Sequence, residues 1–119
     1  MSIFSTKSYS YGNIMQKNRN PLIADNYDGV IGMKTGYTDG GGYGVVGAAS
    51  RGNRRLIAIT NGNQSKQKRS KIIKSILDYG FDRFKKVTIF NKDTVVSSVD
   101  VRFGDKDKVN LVTKEEISI

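Results

Sequence analysis

The chain has 119 residues, 37% of them apolar and 26% charged, and a formal net charge of +9. That length is one domain's worth, and the apolar share fits a small folded core and argues against disorder. It contains no His and no Cys, so a Ser-His-Asp triad within the chain and a Cys/His zinc site are both excluded, while the redox compartment stays unread.

Residues 1–13 alternate loosely around Phe4, Tyr9 and Tyr11, which predicts a short strand or two. Met1 is followed by Ser-Ile-Phe-Ser-Thr, without the basic and long apolar regions of a secretory signal. No apolar run anywhere approaches the ~20 residues of a membrane-spanning helix. As written from Met1, the product is expected in the cytoplasm. "KNRNPLIADNYDG" reads as a loop, because Asn20-Pro21 and Asp28-Gly29 are turn signals. "GVIGMKT" reads as a strand and "TDGGG" as a turn. "YGVVGAAS" and "RRLIAIT" are strands joined through Arg51-Gly52-Asn53, hence a hairpin. "NGNQS" then leads into a helix with Ser65 as N-cap. Its apolar stripe is Ile72, Ile73, Ile76, Leu77, Phe81 and Phe84, and Gly80 marks a place for it to end or bend. After Lys86 come short strand-like pieces, "VTIF", "VVSSVDVRF", "VNLV" and "ISI", the texture of a separate all-β unit.

The positive charge is local. Residues 51–86 hold eleven Lys and Arg against Asp78 and Asp82, and the rest of the chain sums to zero. Such a cluster suits a solvated helix face, or a basic module for nucleic acid or anionic membrane. Aromatic residues are not interleaved with the cations, which disfavours a nucleic-acid partner.

The chemistry-bearing stretch is "GVIGMKTGYTDGGGYG", residues 29–44. It is not a P-loop: Met33 separates Gly32 from Lys34, and glycines follow where a helix should open. Gly42 to Gly47 matches G-x-G-x-x-G, but a strand follows and no acid lies about 20 residues on. What remains is Lys34-Thr35-Gly36, the third signature of penicillin-binding proteins and class A β-lactamases.

The wider run "NRNPLIADNYDGVIGMKTGYTDGGGYGVVGAASRGNRRLIAITNG" resembles the serine-type D-alanyl-D-alanine carboxypeptidases, the low-molecular-mass penicillin-binding proteins of the S11 peptidase family. "ILDYGFDRF" resembles that family's Trp-Gly-Phe helix end, with Tyr79 in the Trp place, and "VRFGDKDKVNL" resembles the first strands of its C-terminal β domain. The resemblance implies an α+β fold. Residues 1–86 would form the end of a β-lactamase/transpeptidase-like domain, an antiparallel sheet with a C-terminal helix, and residues 87–119 the start of a β-rich domain. It implies hydrolysis of peptidoglycan peptides ending in D-Ala-D-Ala through an acyl-enzyme, sensitivity to β-lactams, and no cofactor.

By the same resemblance Lys34, Thr35, Gly36, Tyr37 and Arg69 bind substrate. An exposed strand edge can pair with an extended peptide, and Gly36 lets its backbone approach. The Thr35 hydroxyl can donate to the terminal carboxylate, Lys34 brings positive charge and aids proton transfer, and the Tyr37 N–H is one oxyanion-hole donor. Arg69 falls where the family carries an arginine that meets that carboxylate.

The family's Ser-x-x-Lys and Ser-x-Asn elements lie well upstream of Lys-Thr-Gly, and only 33 residues precede Lys34 here. Ser65-Lys66-Gln67-Lys68 and Tyr11-Gly12-Asn13 imitate them at the wrong places. The expectation is a piece that lacks the nucleophile, is inactive alone and is weakly stable or self-associating, either a truncated gene product or a split-gene half that an N-terminal half on a second chain could complement.

Overall fold

In the computed structural model, which describes residues 2–119, the chain opens with one helical turn, α1 (Ser2–Ser5). A small exposed hairpin follows, β1 (Ser8–Tyr11) with β2 (Ile14–Lys17). Only the hairpin matches the expected strands; α1 is a helix where alternation suggested a strand. The expected loop at residues 17–29 contains another turn, α2 (Pro21–Ala24). Asn20 caps it: its side chain accepts from the Leu22 N–H at 3.0 Å, and Pro21 takes the first position, where no N–H is needed. The Asn-Pro pair is thus a helix start, and it sinks Leu22 and Ile23 into the core.

Three long antiparallel strands form the main sheet: β3 (Val30–Thr38), β4 (Gly42–Arg51) and β5 (Arg54–Asn63), in the order β3-β4-β5. The turns after Thr38 and Arg51 fall where glycine-rich sequence placed them. Across one face lies α3 (Lys66–Arg83), capped by the Ser65 hydroxyl, which accepts from the Lys68 N–H at 3.1 Å. Ile73 and Leu77 pack with Leu22, Val45, Ala49 and Ala58 into one buried cluster.

α3 neither ends nor breaks at Gly80; it continues to Arg83. A Cβ at Gly80 would lie 2.7 Å from Leu56 Cδ1, so the missing side chain lets the helix lie close on β5. Arg54 also donates to the Gly80 and Phe81 carbonyls at 2.7 and 2.9 Å, tying the last turn to the sheet. Close packing outweighs the ~1 kcal/mol propensity cost of glycine. The apolar stripe is split: Ile73 and Leu77 are buried, whereas Ile72, Ile76 and Phe84 are 41%, 42% and 60% exposed.

Arg51 joins three segments. It pairs with Asp28 (3.0 Å) and Asp78 (3.5 Å), and its guanidinium lies over the rings of Tyr27 and Phe81 at 5.0 and 4.5 Å. The Tyr27 hydroxyl donates to Asp78 at 2.6 Å. Burial, reinforced by the Asp78 carboxylate, pushes the Tyr27 phenol well above the usual tyrosine range.

The chain divides after Phe84 into two units. The second holds two separate two-stranded sheets: β6 (Thr88–Phe90) with β9 (Ile117–Ser118), and β7 (Val95–Asp100) with β8 (Lys108–Val112). These are the four strand-like pieces of the sequence. Thr113 is its buried side chain: the hydroxyl donates to the Asn91 carbonyl at 2.6 Å and accepts from the Thr94 N–H at 3.0 Å.

Two outcomes follow for stability. Gly29 has φ +71°, and a Cβ there would run into the Ser50 carbonyl oxygen. Gly29→Ala should therefore cost more than about 2 kcal/mol in urea unfolding, unlike an exposed Gly→Ala at a relaxed position. In an alkaline absorbance titration the Tyr27 phenol should ionise well above the usual tyrosine range. Its folded pKa is raised, so its contribution is intact below about pH 10 and is lost as pH rises beyond that value, because the unfolded chain ionises first. Tyr27→Phe should flatten that alkaline loss of stability.

Candidate active-site cleft

The β3 strand pairs with β4 along one edge, and no strand pairs with its other edge among the described residues; α1 packs against β3 near Gly32, where an added Cβ would lie 2.8 Å from Phe4 Cβ. Its register sets Lys34 opposite Val46 and Thr35 opposite Val45. Lys34 and Thr35 therefore point to opposite faces of the sheet, yet both line one cleft of about 740 Å³, because the cleft opens along the strand edge. Gly36 and Tyr37 continue the same wall, and Arg69 reaches it from the first turn of α3. The structure thus brings together all five residues singled out in the sequence, although 32 positions separate Tyr37 from Arg69.

Each has a definable state. Lys34 is exposed, and its ammonium donates to the Thr35 carbonyl at 2.6 Å. Thr35 is half-buried. At Gly36 an added Cβ would meet nothing within 4 Å and the backbone is not left-handed. The protein's own packing therefore does not demand glycine there; a ligand lying against the strand would. The Tyr37 hydroxyl donates to Asp39 at 3.0 Å, which raises that phenol's pKa, and its ring stacks at 4.4 Å on Tyr43.

Arg69 is the unusual member. It is 6% exposed, yet its Nε finds no hydrogen-bond partner among the described residues. One terminal nitrogen donates to the Gly44 carbonyl at a long 3.4 Å, and the guanidinium sits 5.7 Å from the Tyr43 ring centre. Gly44 lies where the β4–β5 register shifts, between Tyr43 and Val45. Burial lowers the Arg69 pKa from its ordinary value, though arginine stays charged at any working pH. Arg69 thus combines a nearly buried guanidinium, incompletely bonded among the described residues, with a place on the wall of an open cleft.

Three lining residues were not foreseen: Arg19, Tyr43 and Lys66. The strand pattern held the clue to Tyr43, since a turn at residues 39–41 places it across from Tyr37. Arg19 lies in the Asn-Arg-Asn run just before the α2 cap, and Lys66 opens α3. Nothing in their local sequence aims them at Lys34. Among the described residues no cluster of His, Cys, Asp or Glu could hold a metal ion. No helix among the described residues is long and apolar enough to cross a membrane.

A mixed fold with α3 laid on an antiparallel sheet, and Lys-Thr-Gly on that sheet's edge beside a cationic cleft, is the arrangement of penicillin-binding proteins. The crystal structure of penicillin binding protein 5 from Haemophilus influenzae superposes on 98% of this chain with a TM-score of 0.80 at 34% identity, and the match takes in 34% of that protein. Residues 1–65 match the D-alanyl-D-alanine carboxypeptidase family, and residues 84–119 match the penicillin-binding protein 5 C-terminal domain. D-alanyl-D-alanine carboxypeptidase DacD of Salmonella typhimurium is 35% identical over 114 residues, 96% of this chain. DacA of Escherichia coli is 35% identical over 116 residues, 98% of it. The chain belongs to the D-alanyl-D-alanine carboxypeptidase family, and it spans 29% of the length of each of these two relatives. Arg69 lies past the end of the residue 1–65 match, so its place in the site rests on geometry.

A buried cation with an unpaired donor costs stability. Arg69→Leu, which fills the same space without an unsatisfied donor, should leave the urea midpoint unchanged or raise stability by about 1 kcal/mol. A clear fall would mean that Arg69 is a structural residue.

Proposed function

We propose that this chain forms the carboxylate-gripping wall of a serine-type D-Ala-D-Ala carboxypeptidase cleft, acting on peptidoglycan peptides and open to β-lactams. The observation that carries this reading is the buried, under-bonded Arg69 guanidinium facing the same cleft as the free Lys34–Tyr37 edge. An extended peptide would add to β3 by main-chain hydrogen bonds, passing over Gly36 where a side chain would block it. Its terminal carboxylate would lie between the Thr35 hydroxyl and Arg69; hydrogen bonds to a charged group are worth about 1.5–3 kcal/mol each. The Tyr37 N–H would face the scissile carbonyl oxygen as charge develops there. Lys34 would hold positive charge beside the attacking hydroxyl and ease its loss of a proton.

In this reading, residues 1–86 belong to the transpeptidase-like domain and 87–119 to a β-rich domain. The attacking serine comes from outside these residues, on a complementing N-terminal half. Ser65 is a poor substitute, because its hydroxyl is committed as the α3 cap.

The experiment is an NMR titration of the chain with N-acetyl-D-Ala-D-Ala and with its C-terminal amide. The acid should shift the amide signals of residues 34–37 and the Arg69 Nε–H, and the amide should bind at least about tenfold more weakly. Arg69→Gln should weaken the acid by a similar factor and leave the amide unchanged. Labelled penicillin should form no adduct with the chain alone; an adduct at Ser65 would overturn the placement of the nucleophile elsewhere.

A further inference from the structure

β4 and β5 pair residue for residue from Arg51 and Arg54 to Val45 and Thr60. Beyond that point Tyr43 faces Asn63, so Asn61 and Gly62 together stand opposite Gly44. This is a β-bulge, an extra residue on β5 that breaks the ladder locally. Gly62 takes φ +68° there, a left-handed conformation that favours glycine. On the facing strand, a Cβ at Gly42 would lie 2.9 Å from the Asn63 carbonyl oxygen.

Side chains bond two successive β4 carbonyls at this bulge. The Asn63 amide donates from Nδ2 to the Tyr43 carbonyl at 2.7 Å and to the Thr60 hydroxyl at 3.1 Å. It thereby bridges the bulge from one side to the other. Arg69 donates to the next carbonyl, that of Gly44, at 3.4 Å. Asn63 is 6% exposed, and it does not cap α3, a role that Ser65 fills. An amide suits the position. Its nitrogen has a proton for each acceptor, whereas a carboxylate has none and glutamine sets the amide a carbon further out.

The same dipeptide carries the contacts of Arg69. The guanidinium sits 5.7 Å from the Tyr43 ring centre, and that ring stacks on Tyr37 at 4.4 Å. We propose that Asn63 is a positioning residue of the cleft: by fixing the Tyr43–Gly44 segment across the bulge, it sets where the Arg69 guanidinium lies. Asn63 acts through Tyr43 and Arg69, and its bearing on ligand binding rests on the proposed function. Every group in this relay belongs to β3, β4, β5 or α3, and Asn63, Gly44 and Arg69 are buried.

NMR of the 119-residue chain reads both ends of the relay. Asn63→Leu removes both donors at similar size. The Arg69 Nε–H signal, displaced by the Tyr43 ring, should move toward that of an exposed arginine. Affinity for N-acetyl-D-Ala-D-Ala should fall at least about fivefold, and affinity for its C-terminal amide should not change. Thr60→Val removes one Asn63 bond and keeps the one to Tyr43, so both readouts should stay in place.

Asn63→Asp keeps the size of the side chain, serves where leucine is not accommodated, and adds a pH profile. Ionised, the new carboxyl cannot donate to the Tyr43 carbonyl, and the Arg69 signal should move. Protonated, it donates again, and the signal should return. Burial raises the pKa of such a carboxyl, so the return should begin above the ordinary aspartate value of about 3.9.

An Arg69 signal unmoved by Asn63→Leu or by Asn63→Asp at neutral pH would overturn the proposal. So would one moved as far by Thr60→Val, or one that stays displaced on acidification. An unsubstituted chain that binds acid and amide alike would overturn the proposed function instead, and the Arg69 signal would still decide the role of Asn63.

Discussion

The docking of α3 on β4 and β5 is the contact on which the site depends. Ile73 and Leu77 pack with Leu22, Val45, Ala49 and Ala58 in the buried cluster of the first unit. At about 1.5–3 kcal/mol per fully buried aliphatic side chain, these few residues outweigh any polar contact on the surface. The same seating fixes the first turn of the helix over Gly44 of β4, and so carries Arg69 to the cleft that Lys34 to Tyr37 line. If the helix slid by one turn, about 5.4 Å, the core would lose its register and the cleft would lose its cation. Packing and site are thus set by one fit.

The sheet has two unpaired edges with opposite chemistry. The β3 strand carries Lys34, Thr35 and Gly36, which line one cleft with Arg69. The β5 edge is flanked by isoleucine on one face and by Ile72, Ile76 and Tyr79 on the other, a surface that water wets poorly.

The positive charge of residues 51–86 is less available than its count suggests. Arg51 is tied to Asp28, Asp78 and two aromatic rings, Arg54 to two carbonyls at the end of α3, and Lys74 to Asp25. Several of these cations hold the helix to the sheet. Others, Lys66 and Arg69 with Arg19 and Lys34, converge on the cleft. A basic cluster that looks uniform along the sequence separates in space into structural ties and a cleft-lining group.

Much was legible in the residues themselves. Glycine-rich turns fixed the β3-β4-β5 meander because few other residues turn so tightly, and Lys34-Thr35-Gly36 marked the wall. Ser65 marked the helix start, because its hydroxyl satisfies a bare N–H wherever the helix lies. These features act over a few residues, so the local sequence suffices to find them. The split of the apolar stripe, the run of α3 through Gly80, the stacking of Tyr43 beneath Arg69 and the arrival of Arg19 and Lys66 were settled only in three dimensions. Each depends on which surface meets which, and on whether a gap left by a missing Cβ is filled by a neighbour far along the chain.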